Sequence, residues 1–167
     1  MIIIGIDPGT ATTGYGIIKV KKKKNNFQCL EYGIIKTDPS FSPQARLKKL
    51  YLQIAKILRK YQPKLLVLEK LYFFKNLKTA IPVAQAQGVI LLAASKRKIE
   101  VKEFTPLEVK MGICGYGRAQ KIQIQKMVKK ILNLKEIPKP DDAGDALAVA
   151  ICGSLIFKKS KPKPKKG

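Results

Sequence analysis

The chain has 167 residues, 46% of them hydrophobic, which suits one domain with a proper core; no apolar run reaches the about 18 residues of a membrane span, and the start lacks the pattern of a secretory signal. Lys and Arg number 34 against 11 Asp and Glu, a net charge of +23, so the expected partner is a polyanion, with nucleic acid ahead of an anionic membrane surface or ribosomal packing. There is no histidine, which removes the usual general base, the usual zinc ligand and every Ser-His or Cys-His nucleophile; any hydrolysis must rest on carboxylates, lysines or metal ions.

The opening MIIIGID reads as a strand, apolar throughout as in a central strand covered on both faces. It ends in Asp7, followed by the turn residues Pro8 and Gly9. Taken alone, Asp-Pro-Gly is simply a good turn. TGYGIIKV reads as the second strand, KKKKNN as a solvated hairpin tip, and FQCLEYGIIKT as the third strand. Their short connections predict an antiparallel meander. SPQARLKKLYLQIAKILRKY is an amphipathic helix with Ser42 as its cap and Pro43 as its first residue. Leu47, Leu50, Ile54, Ile57 and Leu58 share one face of it.

PKLLVLE is a further apolar strand, ending in Glu69, and the loop KLYFFKNLK after it sets three aromatics among lysines. A helix is predicted over roughly 79–98, then the strand EVKEF. TPLEVK opens a short helix with a capping box, Thr105 at the cap and Glu108 reaching back, which makes Glu108 structural. GICGYGRA is a Gly-rich break, AQKIQIQKMVKKILNL a helix with a basic face, KEIPKPDD a loop and DAGDALAVAICGSLIF the last helix. The folded domain spans 1–157, and 158–167 is a Lys/Pro-rich basic tail expected to be disordered. Cys29, Cys114 and Cys152 are odd in number and far apart, which argues for free thiols in a reducing, cytoplasmic setting. The element order predicts an α/β domain with a mixed five-stranded sheet and helices on both faces, which resembles a ribonuclease H-like fold.

With so few acids, each position carries information. Asp7 ends the first strand, Glu69 ends the fourth, and Asp141, Asp142 and Asp145 open the last helix. Sites in open α/β sheets gather beyond the carboxyl ends of parallel strands, where Asp7 and Glu69 can meet. Asp142 and Asp145, three apart, share a helix face, and the small apolar run DALAVA packs that face inward, toward the other two. Four bare carboxylates in one pocket repel one another, and divalent cations relieve this. Mg²⁺ prefers such oxygens, and two ions roughly 3.5–4 Å apart can activate water and stabilise the leaving oxygen of a phosphodiester. Each acid also has a structural alternative: Asp141 as a helix cap or dipole partner, Asp142 and Asp145 as helix-start charges, Glu69 as a surface acid.

GIDPGTATTGYGII, LLVLEKLYFFKN, AQAQGV, TPLEVK, GYGRAQK and DDAGDALAVAI occur in the order seen in the RuvC family of crossover junction endodeoxyribonucleases, and the resemblance covers residues 1–157. It implies a ribonuclease H-like fold, a homodimer, Mg²⁺ dependence (with Mn²⁺ as a substitute) and paired cutting of Holliday junctions in recombination and repair, beside the branch-migration motor RuvA–RuvB. The family's catalytic and metal-holding acids fall on Asp7, Glu69, Asp142 and Asp145; Asp141 is not of that set. Its stacking aromatic falls on Tyr72, and its basic residues near the scissile strand fall on Lys110 and Lys121. Phe73, Phe74 and Lys75 make the loop after Glu69 more aromatic and basic than the family's usual pattern, and Arg118 adds a cation beside Lys121. Stacking on unpaired bases is the functional reading of that loop, and a hydrophobic staple is the structural alternative for Phe73 and Phe74. Phosphate contact is the functional reading of Lys110, Arg118 and Lys121, and a solvated helix face is the alternative. Rival functions are a nuclease of the same fold acting on RNA or RNA–DNA hybrids, a binding module without catalysis, and an actin-like ATPase, for which the chain lacks a second phosphate loop and a second domain.

Overall fold

The structure, a computed structural model, describes residues 1–9, 11–21, 26–70 and 77–159, and among these the side chains of all but 77–79 and 156–159. Five strands form one sheet: β1 (Ile2–Asp7), β2 (Thr12–Val20), β3 (Phe27–Lys36), β4 (Leu65–Glu69) and β5 (Glu100–Phe104). Their spatial order is β3-β2-β1-β4-β5. The first three make the expected antiparallel meander, and β4 and β5 run parallel to β1. The sheet is therefore mixed, with the apolar β1 at its centre.

The pleat explains why β1 and β4 have no polar face. Ile3, Leu65 and Val67 point to one side of the sheet, and Ile4, Ile6, Leu66 and Leu68 to the other; all are fully buried. The second side is covered by α1 (Pro43–Tyr61) and α2 (Leu77–Ser95) through Leu50, Ile54, Leu58, Ile90 and Ala94. The first side is covered by α3 (Pro106–Cys114), α4 (Lys121–Leu132) and α5 (Asp141–Lys159) through Val109, Ile113, Val128, Leu147 and Ile151. Helices thus lie on both faces, as the element order predicts.

The helix signals act as read at two termini. The Ser42 hydroxyl accepts from the Ala45 amide with Pro43 next in line, and Thr105 and Glu108 close a reciprocal capping box. Several boundaries differ from the sequence reading; α4 occupies Lys121–Leu132 rather than 119–134, and α5 occupies Asp141–Lys159 rather than 142–157, so it includes Lys158 and Lys159. The helix expected over 79–98 is α2 at 77–95, followed by a turn in which Lys98 adopts a positive φ. The Gly-rich break begins later than expected, because α3 continues through Gly112 to Cys114 and stops at Gly115, φ +81°. Gly112 is there for packing: a Cβ on it would stand 2.9 Å from the Cys152 Sγ of α5. The four-lysine hairpin tip (residues 22–25 in part) and the tail from 160 onward lie outside the described residues.

Candidate active site

The site lies where β1 and β4 end. Ile6 pairs with Leu68, so Asp7 and Glu69 leave adjacent parallel strands side by side at their carboxyl ends. On the other flank Asp7 pairs with Gly14 of β2. α5 runs directly over this corner because the sheet beneath it has no side chains there. A Cβ on Gly5 would stand 2.1 Å from the Ala146 carbonyl oxygen, and one on Gly14 would stand 2.0 Å from that of Asp142. Such distances are possible only for glycine, and α5 answers with the buried small residues Ala143, Ala146 and Ala150. This close approach sets Asp142 and Asp145 above Asp7.

The electrostatics record the convergence. Burial pushes the Asp7 carboxyl up to about 7, and the nearby carboxylates of Glu69, Asp145 and Asp142 push in the same direction against the opposing pull of Lys121. Burial also raises Glu69, helped by Asp145 and opposed by Lys110. Burial raises Asp145, with Lys121 pulling the other way. These three acids share a poorly solvated, electronegative corner of an otherwise strongly basic protein.

Asp142 is oriented by a residue that sequence reasoning passed over: the Thr12 hydroxyl donates to its Oδ2 at 2.7 Å. The signal was present in TATTG, but the 130-residue separation hides the partner. Lys121 Nζ sits between two acids, 3.1 Å from Asp141 Oδ2 and 3.2 Å from Asp145 Oδ2. Burial pulls the Lys121 ammonium down, and Asp141 and Asp145 together outweigh it and leave it raised. Asp141 is the first residue of α5 rather than a cap before it, and its other oxygen accepts from the buried Gln125 amide at 3.1 Å.

Glu69, Asp145, Lys110 and Lys121 line one open cleft of about 200 Å³, with Pro106, Val109, Ile124 and Ala148 as its apolar walls. Arg118 is exposed on the α3–α4 connection and does not line that cleft. Tyr72, Phe73, Phe74 and Lys75 lie outside the described residues. Other acids have visible structural work. Glu31 accepts from Tyr15, Lys60 and Tyr61, Glu108 closes the α3 cap, and Glu103 accepts from Gln87. Among the described residues, no three of the acids or cysteines already surround one point closely enough to hold an ion.

The donor chemistry nonetheless suits a hard divalent cation. It is all carboxylate oxygen, partly desolvated, with a lysine ammonium already standing among the acids.

The family model described as crossover junction endodeoxyribonuclease RuvC matches residues 3–153. The chain belongs to the RuvC family. A Fusobacterium nucleatum crossover junction endodeoxyribonuclease RuvC is 54% identical over 151 residues, 90% of this chain and 78% of that protein. The Halothermothrix orenii RuvC is 47% identical over 167 residues and covers all of both chains. The Thermus thermophilus RuvC structure in complex with a Holliday junction substrate superposes with a TM-score of 0.91 at 30% identity, covering 95% of this chain and 96% of that one. The fold is thus the ribonuclease H-like fold of RuvC, and the activity is endonucleolytic cutting of DNA at Holliday junctions. The RNA and RNA–DNA hybrid alternative is not favoured. No helix among the described residues is long and apolar enough to cross a membrane.

Proposed function

We propose that Asp7, Glu69, Asp142 and Asp145 are the catalytic acids of this RuvC family member and hold two Mg²⁺ ions, with Mn²⁺ able to replace them. What supports this most is the convergence of the four acids, Asp7 and Glu69 at the ends of neighbouring parallel strands beneath Asp142 and Asp145, where burial and the other three acids push the Asp7 carboxyl up to about 7. Bound there, the ions supply the charge that activates a water and stabilises the leaving oxygen. Asp7, at the centre of the corner, would supply a carboxylate to the ions, with Glu69, Asp142 and Asp145 as the further acids that would hold them. Thr12 keeps Asp142 turned toward Asp7. Lys121, 3.2 Å from Asp145, would yield that carboxylate to a bound ion.

Lys110 and Lys121, on the cleft walls, contact the scissile strand's phosphates, and Arg118 extends that contact outward. Such contacts fix position and leave sequence choice to other groups. Tyr72, Phe73 and Lys75 belong to the loop that stacks at the open centre of the junction. Two matched nicks call for two matched sites, so the working form is a homodimer. Ile81 and Leu92, exposed and eleven residues apart on one line of α2, offer apolar surface for its two-fold contact. The enzyme acts in the cytoplasm, where its three free thiols are at home, beside the RuvA–RuvB motor.

The deciding experiment compares a synthetic four-way junction, an RNA–DNA hybrid and single-stranded RNA in Mg²⁺. Paired nicking of the junction alone is expected. Equal cutting of the hybrid, or full activity of Asp7→Asn, would sink the reading.

A further inference from the structure

Asp141 lies outside the four acids and yet uses both of its carboxylate oxygens beside the cleft residue Lys121. One carboxylate oxygen takes Lys121 Nζ at 3.1 Å, and the other takes the Gln125 amide at 3.1 Å. Gln125 is itself buried and lies one turn beyond Lys121 on α4. The Asp141 carboxylate is therefore fixed to α4 by a buried donor, while the ammonium it shares with Asp145 is free to choose between two acids. Asp141 and Asp145 are four apart on α5 and present their carboxylates on one face, so the choice needs only a short swing of the lysine stem.

A divalent cation at Asp145 competes with the ammonium for the same oxygen. Without Asp141, Lys121 would have to stay on Asp145 against the metal or leave for solvent. We propose that Asp141 is a positioning residue acting through Lys121: it receives the ammonium when a divalent ion takes Asp145 and holds it at the cleft mouth, facing the phosphate of the strand to be cut. Lys121 is then a resident counter-ion for the acids in the metal-free enzyme and a phosphate contact in the loaded one. Lys121 stays protonated throughout, the entering ion adds its two positive charges to the acids, and no covalent step is involved. The proposal rests on the metal reading of the four acids given above.

The test is a double-mutant cycle between Asp141→Asn and Lys121→Met in the full chain. Both side chains are more than half exposed, so both variants should fold, which thermal melts verify. The first readout is Mn²⁺ uptake without DNA, followed by the spin-resonance signal of the free ion. Asp141→Asn should weaken uptake with Lys121 present by roughly threefold more than with Lys121→Met, the size of an exposed ion pair. The second readout is junction affinity in Ca²⁺, where Asp141→Asn should weaken binding only when Lys121 is present. An Asp141→Asn loss of equal size in both backgrounds would mean that Asp141 acts as a bare charge and would overturn the proposal. So would no effect in either. Failure of the metal reading itself looks different: the unmutated chain would then show no saturable Mn²⁺ uptake.

Discussion

Asp7 is a carboxylate that the fold makes uncomfortable. Its folded-state value of about 7 lies above the ordinary 3.8, so the folded protein binds that proton more tightly than the unfolded chain. The resulting stability is fully present below pH 3.8 and is lost as pH rises through 7. Metal-free protein in a chelator should therefore melt at progressively lower temperature from about pH 4 to pH 7, with this group alone contributing a few kcal/mol. Asp7→Asn should flatten that dependence, raise the melting temperature at pH 8, abolish junction cutting and leave junction binding intact. Mg²⁺ should stabilise the unmutated protein more at pH 8 than at pH 5.5, since it binds the ionised acid. A larger gain at the lower pH would contradict the assignment of the four acids. All four were legible as scarce acids at element ends. Thr12 and Gln125 were not, because a hydroxyl or amide becomes informative only once its distant partner is known.

At the scale of elements, the site depends on how closely α5 approaches the sheet. Gly14→Ala puts a methyl 2.0 Å from a carbonyl oxygen of α5, and backbone cannot yield as a flexible side chain can. The helix must lift, at a cost of about 1–3 kcal/mol or more, and Asp142 moves with it. Urea denaturation should show the loss, and cutting should fall further than stability alone explains. Gly144→Ala is the contrast, because its new Cβ would lie 3.5 Å from the Pro138 carbonyl oxygen, an ordinary contact. Replacing a helix-interior glycine there should raise stability by about 0.5–1 kcal/mol. The helices and strands themselves were readable from period and caps, down to the Thr105–Glu108 box. The helical Gly112 was not, since glycine next to Ile-Cys-Gly reads locally as a break. Only contact with Cys152 explains it as a packing residue.

For the whole molecule, the net charge of +23 favours binding of DNA, and the proposed site is a small acidic corner in that basic surface. Residues 160–167 carry four lysines. If that tail adds nonspecific phosphate contact, removing it should reduce the slope of log affinity against log salt by up to roughly 3.6, about 0.9 per lysine, while cutting at low salt is unchanged. An unaltered slope would place the tail off the DNA. The proposed homodimer gives the other prediction at this scale. Leu92→Glu on the exposed line of α2 should give monomers in sedimentation, with a melting temperature close to that of the unmutated chain and loss of paired, though not single, nicks.

The sequence by itself determined the order of elements, the mixed sheet, the basic character and the few acids worth watching. These follow from local pattern and composition, which need no partner to be read. Tertiary structure alone decided how closely Asp142 and Asp145 stand over Asp7 and Glu69, because that depends on Gly5 and Gly14 admitting the backbone of α5, more than a hundred residues away in the chain. It also decided that Asp141 belongs to Lys121 and Gln125, an assignment fixed by distance across two helices that no spacing within one helix could show.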